Sequence, residues 1–270
     1  MVRAGIRALA ALCLGIVLAA PVVHAEDPPV TVSAGTKIVT LSWPEKTCPY
    51  SRGDKNDAKI IDALEKADPR SKLLIAFIDC DNLNAVRGAK NSVFQPSYYY
   101  GQVISGISGQ TTADKYERED YVAAISKQFG TESADAVMAR GETILAGLIS
   151  GKADDGKPQV LGVIKRDKDF IQLAMFGSQT LPNGTIQKVV NIVTYTKAGV
   201  PVVIYLAHPA TSDITLQALS EHAELYSRQL IALNPDSNFF LHALDFMSLM
   251  VGFVIGIIGS TVLRWMLSRH

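Results

Sequence analysis

Residues 159–207 read QVLGVIKRDKDFIQLAMFGSQTLPNGTIQKVVNIVTYTKAGVPVVIYLA, and this stretch decides the fold. Four runs rich in Val, Ile, Leu and aromatic residues, Gln159 to Lys165, Phe170 to Ser178, Thr185 to Thr196 and Val200 to Ala207, are split by short connections. These carry Asp167, Pro182-Asn183-Gly184 and Ala198-Gly199. β-Branched and aromatic side chains fit a pleated, half-buried surface, while Gly, Asn and Asp supply the backbone angles of tight turns. Connections this short leave neighbouring strands antiparallel, so the stretch predicts a four-stranded β-meander.

On the C-terminal side, Leu216, Leu219, Ala223, Tyr226, Leu230 and Leu233 recur at steps of three and four, the signature of a helix with one apolar face. Thr211, Ser212 and Asp213 are its N-cap candidates, and Asn234-Pro235 ends it. On the N-terminal side, two helices are expected, Asp114 to Phe129 and Ser133 to Ile149, separated by Gly130-Thr131. Val137, Ile144, Leu145 and Leu148 mark the inner face of the second. Lys72 to Asp79 contains the continuous run Leu-Leu-Ile-Ala-Phe-Ile, expected of a strand buried on both faces. Ile60, Ile61, Leu64 and Ala67 place a helix from Asp57 to Ala67, and residues 30–43 alternate as one or two strands. Residues 97–109 have strand composition interrupted by Gly101, Gly106 and Gly109, and fit a strand or an extended loop. The fold class is α+β: a mostly antiparallel sheet with packed helices, α/β/α-sandwich-like, followed by one C-terminal transmembrane helix. A meander followed by a long closing helix resembles the PsbP-like arrangement, a likeness of element order that implies no activity.

The two ends carry addressing signals. Arg3 and Arg7 precede an apolar stretch from Ala8 to Ala20, and Val23 and Ala25 occupy the small-residue positions before Glu26. That is the plan of a secretory signal cut after Ala25. The apolar stretch is short of the roughly 20 residues a spanning helix needs, and Leu12 before Cys13 does not fit a lipoprotein signal. At the other end, Phe246 to Leu263 holds 18 residues without a charge, about 27 Å of helix, bounded by Asp245 and by Arg264 and Arg269. The basic residues place the C-terminus in the cytoplasm. The expected organisation is a signal peptide (1–25), an exported domain (26–234), a juxtamembrane linker (235–245), a transmembrane helix (246–263) and a cytoplasmic tail (264–270). That arrangement puts the domain in the periplasm, on the bacterial inner membrane.

The formal net charge is zero, but the four arginines at the ends leave 22 basic against 26 acidic residues in the exported part, a charge of −4. No basic face for nucleic acid is present. Only Cys48 and Cys80 remain after the signal, and an oxidising compartment makes a structural disulfide the first expectation. Two unpaired buried thiols, or a reactive or metal-binding cysteine, are the alternatives; Asp79 and Asp81 beside Cys80 disfavour a thiolate.

Catalytic motifs are scarce. Gly147 to Lys152 lacks the glycine spacing and the hydroxyl residue of a nucleotide-binding loop, and neither a Gly-x-Ser-x-Gly elbow nor a His-Glu-x-x-His pair occurs. Asp79 and Asp81 follow a buried strand and could bind a cation or share a proton; with Asn82 and Asn84 they also compose an ordinary strand-ending turn. His208, after Val202 to Ala207, could serve as a base, or rest its ring on a backbone group. No catalytic residue, cofactor or metal is assigned. His222 is expected at the core's edge, and Asn183-Gly184-Thr185 matches a glycosylation acceptor in what reads as a hairpin turn.

The most specific pattern lies in the anchor. Ser248, Gly252, Gly256 and Ser260 recur at every fourth residue, a ridge of small side chains that lets another helix approach closely in lipid, with Asp245 near the same stripe. Besides the bilayer, the partner this implies is a membrane protein or a second copy of the chain. Only Asn234 to Asn238 separates the closing helix from the apolar residues that begin at Phe239, a reach of at most roughly 17 Å. The sequence thus points to an interaction or assembly subunit held close to the membrane, with a tethered enzyme using Asp79, Asp81 or His208 as the alternative.

Overall fold

The computed structural model describes residues 28–69, 71–88, 100–106, 116–151, 159–180 and 186–236. In chain order these form strands β1 (Val30–Ala34), β2 (Lys37–Leu41) and β3 (Thr47–Pro49), helix α1 (Lys55–Ala67), strand β4 (Ser71–Asp79), helix α2 (Cys80–Gly88) and strand β5 (Tyr100–Gly106). Helices α3 (Arg118–Ser126) and α4 (Ala134–Ile149) follow, then β6 (Gln159–Arg166), β7 (Phe170–Thr180), β8 (Ile186–Ala198), β9 (Val200–Pro209) and helix α5 (Leu216–Leu233).

The protein is α+β, with one seven-stranded antiparallel sheet in the order β3-β4-β5-β9-β8-β7-β6 and a separate β1-β2 hairpin. The meander forms as the sequence requires, β6 through β9 pairing in succession. The remaining strands complete the sheet by non-local pairing, since β5 inserts between β4 and β9. That settles residues 97–109 in part: 100–106 are strand, and the flanking residues lie outside the described ones.

Alternation along each strand divides the core between the two faces of the sheet. Phe77, Val103, Ile192, Ile204 and Leu206 are buried with Leu216, Ala223, Tyr226 and Leu230 of α5. The β1-β2 hairpin adds Val39 and Leu41 to this cluster, and α4 adds Val137 and Leu145. Phe77 meets Tyr226 edge-on, ring centroids 5.5 Å apart, and the Tyr226 hydroxyl donates to the Ser42 carbonyl at 2.8 Å. From the other face, Ala76 and Ile78 pack with Ile60, Ile61 and Leu83 of α1 and α2, while Ile171 and Leu173 pack with Val122 of α3. Gly101 is required where β5 runs between β4 and β9: a Cβ there would lie 2.4 Å from the Phe77 ring and 2.6 Å from Leu206.

Three local expectations are corrected. The residues after β4 form helix α2 rather than a turn, because the Asp79 carboxylate accepts the Asp81 N–H at 2.9 Å and so caps a first-turn donor. The cap of α5 is Thr215, whose hydroxyl accepts the Ala218 N–H at 3.1 Å, and not Thr211, Ser212 or Asp213, since the Ile214 N–H turns back to the Thr211 carbonyl. Helix α3 begins at Arg118, later than Asp114, where the Tyr121 N–H closes the first turn onto the Glu117 carbonyl. Among the described residues no helix is long and apolar enough to cross a membrane. The signal (1–25), the anchor (246–263) with Ser248, Gly252, Gly256 and Ser260, and Asp245 and Asn183 lie outside the described residues.

Candidate functional site

The cysteines are joined. Cys48 lies on β3 opposite Ile78, Cys80 follows β4, and their sulfurs are bonded with Cα atoms 4.9 Å apart. Strand β3 is a three-residue edge strand, and the disulfide fastens it where its ladder with β4 is short. Paired sulfurs leave neither cysteine a thiol for chemistry or metal binding.

Asp79 and His208 end neighbouring parts of the same sheet but are separated by β5. The registers Ile78↔Tyr100 and Tyr100↔Ala207 place them two strand spacings apart, about 10 Å. Asp79 accepts from Asp81 at the head of α2, and His208 Nδ1 lies 2.7 Å from the Pro209 carbonyl. The histidine thus rests its ring on a backbone group at the end of β9, as one of the two sequence readings has it. Among the described residues no group of three or more His, Cys, Asp or Glu side chains could hold a metal ion. His222 is partly buried, and that burial lowers its pKa, as befits a residue at the core's edge.

Two features that no sequence motif marks are better built. The first is a cleft of about 420 Å³ beside the N-terminal half of β4, lined by Val30, Trp43, Tyr50, Ile61 and Leu73–Ala76. Strand β3 pairs only with Phe77–Asp79, so beyond the Tyr50 N–H bond to the Ala76 carbonyl the β4 edge faces this cleft without a strand partner among the described residues. Arg52 stands at one corner, bridging Asp62 at 2.8 Å and Glu65 at 2.7 Å. The wall is fixed by fully buried Asp57, which accepts the Ser51 N–H at 2.9 Å and pairs with Arg87 at 2.6 Å; this bond raises the arginine's pKa. The cleft is apolar with one charged corner, suited to an aliphatic or aromatic side chain and lacking the convergent acid-base groups of a catalytic pocket.

The second is the point where the chain leaves α5. Asn234 is buried, and its amide pairs with the β2 backbone: Oδ1 accepts the Thr40 N–H at 2.8 Å and Nδ2 donates to the Thr40 carbonyl at 2.7 Å. The buried guanidinium of Arg118 donates to the Asn234 carbonyl at 3.1 Å and to the Lys197 carbonyl at 2.7 Å. It also lies 3.6 Å from both Asp169 and Asp236, and the Arg118 N–H donates to the Asp236 carboxylate at 3.3 Å. Lys197 in turn donates to the Tyr116 carbonyl, and Lys37 to the Gly199 carbonyl at 3.1 Å. Strand β2 and helix α3 thus hold Asn234 and Asp236 at the end of α5, and Arg118 ties them to the β6-β7 turn and to the end of β8. In the sequence only Asn234-Pro235 hints at this, and it reads as a helix stop.

No family model matches the chain, and no curated protein or solved structure matches it. Its function therefore has to be argued from these residues alone.

Proposed function

We propose that the protein is a single-pass envelope subunit, anchored by its C-terminus in a bacterial inner membrane, whose exported α/β/α-sandwich-like domain and anchor are surfaces for assembly with another membrane protein or a second copy of itself. In this reading residues 1–25 are removed, residues 26–234 lie in the periplasm, and residues 246–263 span the bilayer after the 235–245 linker. The observation that carries it is a sequence pattern: Ser248, Gly252, Gly256 and Ser260 recur at every fourth residue, a spacing that on a helix would set them on one stripe with Asp245 close to it and serve close helix–helix approach.

Two further features support the reading. The Cys48–Cys80 bond agrees with an oxidising compartment, where disulfides persist. The clamp around residues 234–236 makes the start of the linker part of the folded domain, which leaves residues 237–245, at most about 30 Å of extended chain, between domain and anchor. A connection of that length keeps the domain near the bilayer, which suits a subunit working beside a membrane neighbour. The alternative of a tethered enzyme draws on Asp79, Asp81 and His208, whose described bonds belong to a helix cap and a strand end.

The test is cross-linking in native membranes followed by mass spectrometry, with the wild type and the Gly252→Leu/Gly256→Leu variant compared at equal expression. The expected result is a specific cross-linked partner or dimer that the variant loses. Identical cross-linked species in both would remove the main support for an assembly role of the anchor.

A further inference from the structure

We infer that the cleft beside β4 is a docking site for one extended segment of another polypeptide, apolar with a basic neighbour, which joins the sheet as an added strand along the open half of β4. This adds a surface of the folded domain to the assembly reading above and does not draw on the anchor.

Strand β4 is paired on one side from Ser71↔Gly106 to Ile78↔Tyr100, but β3 meets its other side only from Phe77 to Asp79. Beyond Tyr50 the chain turns away from β4. The Asp54 N–H closes onto the Ser51 carbonyl at 3.0 Å, and fully buried Asp57 fixes the turn by accepting the Ser51 N–H at 2.9 Å. Residues 71–76 are thus left with a strand on one side alone among the described residues. The backbone groups of a strand point to its two sides in turn, so part of this stretch offers N–H and C=O groups to the cleft.

The two edges of the sheet are built differently. At the far edge, β6 is broken by bulges between Val160 and Gly162 and between Val163 and Lys165, and it ends in Lys165-Arg166. Bulges and charges of this kind keep other strands off. The open half of β4, Ser-Lys-Leu-Leu-Ile-Ala, carries one charge, which Lys72 directs to the Ser33 carbonyl. Its irregularity, between Leu73 and Ile75, sets Leu74 and Ile75 on the same core cluster. What protects this edge is recess. Leu74, Ile75 and Ala76 are buried at the floor of the 420 Å³ cleft, with Val30 and Trp43 as one wall and Tyr50 and Ile61 as the other.

These walls select the occupant. A second copy presents the same edge recessed in the same way, so wall meets wall before backbone meets backbone. The residues directly before β1 are Pro28 and Pro29, which have no N–H to give a ladder. A single extended segment fits, because its side chains alternate between the two walls while its backbone completes the ladder. The volume is near the small end for ligand pockets, so the cleft takes a side chain or two rather than a folded element. At the corner, Arg52 is shared by Asp62 and Glu65, two carboxylates to one guanidinium, which favours a basic residue beside the apolar ones.

The experiment uses the full chain in lipid nanodiscs, with Cys48 and Cys80 oxidised, and a panel of capped nonapeptides that alternate Lys with Val, Ile, Leu, Phe or Trp. At least one peptide should bind and slow amide exchange in residues 71–76 while leaving residues 186–198 unchanged. N-methylating every second backbone nitrogen of that peptide should weaken it about tenfold in one frame and little in the other, as loss of ladder donors requires. Glu65→Lys, a change at an exposed side chain, should weaken it about threefold. The methylation arm is made on the peptide and does not depend on the folding of any variant. Affinity unchanged by methylation in both frames or by Glu65→Lys, or no panel peptide bound at about 1 mM, overturns the proposal. A dimer of the chain that these peptides dissolve assigns the edge to a second copy and overturns it too. Gly252→Leu/Gly256→Leu should bind the peptides as the wild type does, so failure of the anchor reading and failure of this one are told apart.

Discussion

Asn234 pairs with Thr40 as one peptide unit pairs with another, its side-chain amide making both bonds, at 2.8 and 2.7 Å, that a neighbouring strand would make. The residue thereby ends α5 and extends the edge of β2 at once. A third bond, from Nδ2 to the Leu230 carbonyl at 2.8 Å, fixes the amide in its helix end.

Asn234→Ala removes these bonds and strands the half-buried backbone groups of Thr40. A loss of about 1–3 kcal/mol is expected, and for a domain of this size each kcal/mol lowers the unfolding midpoint by about 2–4 °C. Thermal unfolding of the purified full chain measures it. Asn234→Asp keeps the acceptor but loses both donors, and should still fall well below wild type.

Removing the disulfide frees a loop closed between Cys48 and Cys80, 32 residues apart. Chain entropy gives a destabilisation of about 3–4 kcal/mol for Cys48→Ser/Cys80→Ser. Reductant should lower the wild-type midpoint toward that of the double variant and leave the double variant unchanged. A wild type indifferent to reductant would show that β3 is held by its ladder alone.

Gly101→Ala places a methyl group 2.4 Å from the Phe77 ring, and overpacking of this kind costs about 1–3 kcal/mol. Because the obstacle is that ring, Phe77→Leu in the same chain should recover part of the loss. A double-mutant cycle by denaturant unfolding reads the coupling, and strict additivity would refute the close approach.

Glu224 accepts from Lys165 and, at 2.8 Å, from Arg228; the lysine bond is the chief cause of its lowered pKa, with burial opposing it. A carboxylate whose folded pKa is depressed stabilises the fold above its unfolded value, and that contribution is lost as the pH falls through the folded value. Stability should therefore begin to drop as the pH goes below about 4.3, the ordinary glutamate value. Glu224→Gln should start less stable near neutrality and show a flatter acid limb in unfolding measured from pH 6 to pH 3.

Local pattern determined much of this protein. The meander was legible because each strand pairs with the next across a short turn, so alternation and Gly, Asn or Asp punctuation suffice to specify it. The closing helix was legible because Leu216, Leu219, Ala223, Tyr226 and Leu230 all reach the core at helical spacing. The disulfide was legible because only two cysteines lie beyond residue 25. Cap identity was not, since Thr211, Ser212, Asp213 and Thr215 have similar capping chemistry and backbone geometry chooses among them.

Tertiary structure alone decided the rest. Nothing in the composition of residues 100–106 says that this strand enters the sheet between β4 and β9, nor that its glycine lies beneath Phe77. The clamp at the chain's exit joins Asn234 to a residue 194 positions away and to Arg118, 116 positions away. Periodicity carries information over a few residues, whereas these bonds exist only because the folded sheet brings distant segments to one end. The topology of anchor and domain is therefore an expectation of the sequence, while the bonds that hold Asn234 and Asp236 to the rest of the domain are a property of the fold.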